Sequence, residues 1–188
     1  YGEIMNYEPK IVILKNGRKV ILRPVGPSDA AQMLDYLRAT SGETPFMVRY
    51  PEEVTMSLAQ EEQMVCARLE NPFLADTAAF TDDGLLMGNC SVTRISDRYK
   101  QCHRVELGIS IYEKYWHMGL GTVLMEHALD ASRNMEGIEQ VELSVMSKNR
   151  RAIPLYERLG FVRVGEVPRA FRFRDGTYDS EIIMIKDL

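Results

Sequence analysis

Two β-branched runs, Lys10 to Leu14 and Lys19 to Arg23, flank Asn16-Gly17, a dipeptide suited to the positive φ angles of a tight hairpin turn. The chain therefore opens on a small hairpin over residues 10–24. Pro27-Ser28-Asp29 leads into a segment where Ala30, Met33, Leu34 and Leu37 fall at helical spacing, which predicts a helix to about Thr40. Ser41 to Thr55 mixes Gly, Pro, charges and aromatics without a period and reads as a loop, an element well placed to face a substrate. A helical pattern resumes at Ser57, with Gln60 and Glu61 behind it, and runs to Glu70.

The period then changes to two. Phe73 to Thr81 and Leu85 to Ile95 read as strands joined by Asp82-Asp83-Gly84, and Val105, Leu107, Ile109 and Ile111 alternate in a third, giving an antiparallel meander. Leu120, Val123, Leu124, Ala128 and Ala131 recur on one helical face, and after Gly137 a strand follows in which Val141, Leu143 and Val145 alternate. This β-α-β order favours a parallel pair with a crossover helix. A short helix from Arg151 to Leu159 stops at Gly160, and Phe161 to Val167 and Glu181 to Lys186 read as closing strands. Between them the tail from Pro168 to Asp179 joins the 41–55 loop as a candidate wall of an acceptor pocket. The chain, 188 residues and 45% hydrophobic, fits a single α/β domain over 1–188.

A formal net charge of -4 argues against general nucleic-acid binding, which draws most of its affinity from basic residues on phosphates, and suits a cationic or neutral small substrate. Glu43, Glu52 and Glu53 make a cationic amine plausible. Cys66, Cys90 and Cys102 have neither metal-ligand spacing nor an even count, so no metal and no disulfide framework is called for, and a reducing cytoplasm is the default. No apolar run approaches the ~18 residues of a membrane span, and Tyr1 to Lys10 has no signal-peptide core.

The chemistry concentrates where strand gives way to helix. Gly119 and Gly121 lie one residue apart at a helix start, where backbone N–H groups lack intrahelical partners and the helix dipole adds positive charge. Without Cβ atoms they could let a phosphate approach, with Thr122 adding a hydroxyl; they could equally be a turn or a packing point. Asn149 and Tyr156 sit seven residues apart, about two helical turns, and can address one cleft, though a cap and a core tyrosine are the blander readings. Pro154 inside that helix points to a late or irregular start.

Trp116-His117-Met118-Gly119-Leu120-Gly121 resembles the acetyl-CoA signature of the GNAT superfamily of N-acetyltransferases: Gln or Arg, two residues, Gly, any residue, then Gly or Ala. Trp116 departs from it. Ser147 to Phe161, with Asn149, Ala152-Ile153, Leu155-Tyr156-Glu157 and Leu159-Gly160-Phe161, resembles the family's second hallmark. The strongest likeness spans about 105–161. It implies a mixed, mostly antiparallel sheet with splayed central strands, flanked by about four helices, and transfer of acetyl from acetyl-CoA to a primary amine of a small molecule or peptide. A non-catalytic acyl-CoA-binding domain is the alternative, and a homodimer is a further expectation of the family.

By that resemblance the cofactor contacts are Ile109, Ser110 and Ile111 on the strand, Trp116, His117, Met118, Gly119, Leu120, Gly121 and Thr122 in the loop, and Asn149 and Tyr156 beyond it. Tyr156 also protonates the departing thiolate. Glu106 shares a strand face with Gly108 and Ser110 and is the candidate base, with deprotonation through water as the other route. Family bases in other members align with Val105 and Ser144, where this chain has no carboxylate. Lys148, Arg150 and Arg151 offer a cation for the nucleotide phosphates, and Cys102 beside His103 is a remote candidate nucleophile.

Overall fold

The structure, a computed structural model, describes residues 8–188; most of the segment read for a signal peptide lies outside them. Strands β1 (Lys10–Ile13), β2 (Lys19–Arg23), β3 (Leu74–Phe80), β4 (Leu86–Arg94), β5 (Arg104–Ile111), β6 (Gln140–Met146), β7 (Val162–Arg172) and β8 (Tyr178–Asp187) form one sheet. Their order is β1-β2-β3-β4-β5-β6-β8-β7. Helices α1 (Ala30–Glu43), α2 (Leu58–Leu69), α3 (Leu120–Asn134) and α4 (Ala152–Arg158) complete the α/β fold.

The β5–β6 ladder is parallel and the other six are antiparallel among the described strands. α3 is the expected crossover between them. Its buried Leu120, Leu124, Ala128 and Ala131 pack with Val105, Leu107, Val141 and Leu143 in the main core. Each fully buried Leu or Val of this kind stabilises the fold by roughly 1.5–3 kcal/mol, and each Ala by less. On the opposite face, Met33 and Tyr36 of α1 and Val65 of α2 form a second cluster with Ala78, Phe80 and Leu86.

The parallel ladder is short. It registers only Arg104–Glu106 against Gln140–Glu142, although β5 runs on to Ile111 and β6 to Met146. Past Glu106 the two strands separate, as a splayed sheet requires.

Three boundaries differ from expectation, each for a local reason. α1 continues to Glu43 because Thr40 and Ser41 bond back to the carbonyls of Tyr36 and Leu37 (2.8 and 2.6 Å), which keeps them compatible with the helix. α4 begins at Ala152, so Pro154 falls in the first turn, where a missing N–H costs little. The tail expected at 168–179 is instead the distal half of a long β7–β8 hairpin. Pro168 fits there because β7 is an edge strand whose register shifts between Val167 and Phe171, with Arg169 at φ 55°. At its tip Arg174 pairs with Glu52 and lies 3.9 Å over the Tyr50 ring, joining hairpin to loop.

Candidate active site

Backbone direction along β5 decides what faces the gap. Tyr112 N–H bonds to Met87 C=O (3.1 Å), two residues from the Asn89–Ser110 pair, so in an antiparallel ladder the even-numbered residues turn their backbone to β4. Leu107, Ile109 and Ile111 therefore turn theirs toward β6, into the gap. The Ile111 carbonyl accepts from the Trp116 indole N–H at 2.8 Å, which leaves Ile109 as the freest backbone donor and acceptor. Ser110 is different. The Tyr36 hydroxyl lies 2.6 Å from its carbonyl and 2.5 Å from its Oγ, and accepts from Asn89 N–H at 3.1 Å, so an α1 side chain is wedged into the β4–β5 ladder there. Of the three strand residues expected to hold cofactor by backbone, Ser110 is turned the other way.

The two glycines do different things. Gly119 caps α3 at φ +82°, a left-handed conformation that disfavours any other residue, and the space beyond its Cα is open. A Cβ on Gly121 would instead meet Leu155 Cδ2 at 3.1 Å and Ile111 Cδ1 at 3.6 Å, so its bareness lets α3 approach α4 and β5. The Gly119 carbonyl accepts from Val123 N–H at the start of α3, and the N–H groups of the turn before it point out of the helix start. His117, also left-handed at φ 63°, helps turn the loop. Leu120 is a core side chain, 1% exposed.

Two cavities meet at the gap. One, of about 260 Å³, is lined by Ile109, Ser110 and Ile111, by Trp116, His117, Gly119, Gly121 and Thr122, and by Asn149, Arg151 and Tyr156. The other, of about 670 Å³, lies on the α1/α2 face and shares Ile109, Ser110, Asn149 and Tyr156 with it. Met118 belongs to neither; it lines a surface groove with Lys15, Asn16 and Arg158.

Asn149 is a cap. Its side-chain carbonyl accepts from Ala152 N–H at 3.1 Å, and its own carbonyl from Ile153 N–H at 3.3 Å, which leaves its amide nitrogen for the cavities. Tyr156 lines both cavities; its buried ring packs against Phe161 (6.2 Å, 60°), and its hydroxyl bonds to no described residue. Burial pushes the phenol well above its ordinary range and keeps it protonated. Of the basic run, Lys148 bonds to the Tyr178 carbonyl (2.9 Å), and only Arg151 reaches the smaller cavity, 3.1 Å over the Trp116 ring. The tryptophan that departs from the signature thus seats a cation there. Cys102 and His103 line none of these cavities.

Glu106 stands at the fork. Its register partner Glu142 is taken by Arg104, whereas Glu106 is exposed, forms no ion pair among the described residues and lines the larger cavity. Gly108, on the same face, leaves open space beside it. Ser144 lines that cavity across the gap.

The acidic residues noticed in the loop are mostly occupied. Glu43 accepts from Glu113 N–H (2.7 Å), Glu53 from Tyr50 N–H (2.7 Å), and Glu52 pairs with Arg174. The carboxylates that matter come from elsewhere. Glu61 of α2 is 4% exposed, lines the larger cavity, and has a buried Oε2 without a hydrogen-bond partner. Asp76 of β3, also buried, pairs with Arg68 at 2.9 Å and accepts from Asn89. Local patterning gives no sign of either residue's surroundings, since α2 and β3 meet only in the folded chain.

Burial, reinforced by Asp76, pushes the Glu61 carboxyl above its ordinary range against the pull of Arg68 and Arg49. A carboxyl raised in the folded state lends stability below its unfolded pKa and loses it as pH rises through the folded one. Glu61→Gln should therefore melt above the wild type at pH 7. The difference should close as the pH falls below the ordinary value of 4.5, which a series of melting curves would show.

The profile of the acetyltransferase (GNAT) family matches residues 34–161, more than half of the chain. The chain belongs to the GNAT acetyltransferase family. Among curated relatives it is 25% identical over 96 residues to the L-amino acid N-acetyltransferase AaaT of Escherichia coli, covering 51% of this chain and 58% of that protein. It is 36% identical over 58 residues to an N-alpha-acetyltransferase of Sulfurisphaera tokodaii, covering 31% and 35%. The chain thus aligns with between about a third and somewhat over half of these relatives' lengths. The GNAT acetyltransferase of Streptococcus pneumoniae has a similar structure, with a TM-score of 0.85, 25% identity and coverage of 90% of this chain and 99% of that one. The Salmonella typhimurium protein yncA, solved with its cofactor acetyl-CoA, shares the fold at a TM-score of 0.77 and 18% identity, covering 90% and 94%.

Proposed function

We propose that this chain, as a single GNAT domain, transfers the acetyl group of acetyl-CoA to a primary amine by direct attack within a ternary complex. The observation that carries this reading is the junction of the two cavities at Tyr156, beside a strand gap in which Ile109 has no ladder partner on β6 among the described residues. Family membership and the relatives' names support amine acetylation.

The smaller cavity suits the donor. Its open left-handed Gly119, the N–H groups at the α3 start and the Arg151 cation fit a pyrophosphate, and the Ile109 backbone fits an amide-bearing arm. Acetyl-CoA, when bound, supplies an acetyl group already activated as a thioester. Tyr156 holds a proton at its hydroxyl for a departing sulfur, and gap-facing N–H groups favour negative charge developing on the acetyl oxygen. Glu106 accepts the proton of the incoming ammonium, directly or through water, on the acceptor side. Holding both partners across one gap makes the encounter effectively unimolecular.

Arg151→Ala should raise KM for acetyl-CoA by about tenfold, roughly the 1.4 kcal/mol that one charge-assisted contact contributes, while changing kcat little. Steady-state kinetics at two salt concentrations would check it, the difference shrinking at high salt. Thiol release from acetyl-CoA across a panel of amines tests the function itself, and binding of acetyl-CoA without release would favour a non-catalytic module.

A further inference from the structure

The larger cavity contains a charged feature that acetyl transfer does not use. Its floor is the sheet face bearing Asp76, Ser91 and Gly108 in one row across β3, β4 and β5. Glu61 is 4% exposed and keeps Oε2 buried and unpartnered. Of the charged groups near it, Arg68 pairs with Asp76 through Nη2 at 2.9 Å while its buried Nε bonds neither Glu61 nor any other described residue, and Arg49 is exposed. A buried carboxylate oxygen with no donor is costly, and because the Glu61 side chain lines this cavity, a ligand seated there can supply the donor. Five carboxylates line this cavity (Glu53, Glu61, Asp76, Glu106 and Glu181), against the guanidinium groups of Arg49 and Arg68. With five carboxylates against two guanidinium groups, the lining favours a cation as that donor.

The sheet gives the scale of the separation from the reacting amine, because Asp76 lies close enough to Glu61 to act on its charge. Neighbouring strands are about 4.8 Å apart, so the Asp76 end of the row is roughly 10 Å from the β5 edge where Glu106 and the gap lie. Building on the acetyltransferase reading, we propose that the acceptor is a linear diamine or polyamine. One amine reacts at the gap, and a second ammonium group several methylenes away is held by Glu61. The unpaired oxygen is complemented only when such a chain is seated, and the apolar lining from Met33, Val54 and Val65 covers its methylenes.

The test compares hexamethylenediamine with hexylamine, which lacks the second nitrogen, at saturating acetyl-CoA. Wild-type kcat/KM should favour the diamine by at least tenfold, and in Glu61→Gln that ratio should fall to near one. Because the ratio is taken within each protein, a partial loss of folded enzyme does not disturb it. Equal use of both amines by the wild type, or an undiminished preference in the variant, would overturn the proposal. A binding arm separates it from the functional reading: calorimetric titration of hexamethylenediamine into the protein with coenzyme A should show binding that Glu61→Gln abolishes. Such binding without thiol release would uphold the cation site and reject acetyl transfer. No binding, or equal binding to both proteins, would reject the site.

Discussion

Tyr156→Phe should lower kcat by about a hundredfold to a thousandfold and leave KM for acetyl-CoA within about threefold, because general-acid assistance of this kind is concentrated in the transition state. The substitution is clean for structural reasons. The ring keeps its contact with Phe161, and the hydroxyl has no described partner that its removal would leave unsatisfied. Melting behaviour should therefore hardly change. Burial raises the phenol above its ordinary value of 10.0, so the proton stays in place at neutral pH and Tyr156 should add no basic limb to the wild-type kcat profile below about that value. Measured kcat, KM and melting midpoint together decide the role: unchanged turnover would remove Tyr156 from the chemistry.

Gly121→Val should damage both stability and activity, for a reason different from the one the glycine-rich signature suggests. Its Cβ would sit 3.1 Å from Leu155 Cδ2, and the branched methyls would press on Ile111 as well. Overpacking at such a contact costs about 1–3 kcal/mol, which for a chain of this size lowers the melting midpoint by roughly 2–12 °C. Relief must come from moving α4 away from α3, and Tyr156 is the residue next to Leu155. A drop of more than tenfold in kcat/KM should accompany the thermal shift. Gly119→Ala, by contrast, meets open space and strains only the left-handed backbone, so its stability loss should be smaller. Paired melting and kinetic measurements on the two variants would distinguish a packing glycine from a conformational one, and equal stability losses would contradict the assignment.

What could be read from the chain tracks how local the cause is. Alternation along Val105 to Ile111 and the 3.6-residue period of α3 are local signals, and both elements form as read, as does the parallel pairing of β5 with β6. The glycine loop and the Asn149 cap were legible because chain direction must change there. Other features depend on partners distant in sequence. Pro168 resembles a strand breaker until β7 proves to be an edge with a register shift. Ser110 looks equivalent to its neighbours until the β4 ladder shows which way its backbone turns. Glu43, Glu52 and Glu53 resemble a cation site by proximity, yet a backbone N–H or Arg174 occupies each of them, while the buried Glu61 and Asp76 meet only because α2 packs on β3. Arg151 could not be singled out from Lys148 and Arg150 before the Trp116 ring was seen beneath it.

On the proposed function, the gap between β5 and β6 is the place of chemistry, where an amine on one side meets an acetyl thioester on the other. Thiol release from acetyl-CoA, followed in the presence and absence of primary amines, tests it most directly. Release should require an amine, saturate with it and be largely lost in Tyr156→Phe. Acetyl-CoA that binds and shifts the melting curve, yet yields no amine-dependent thiol across a broad panel, would contradict it.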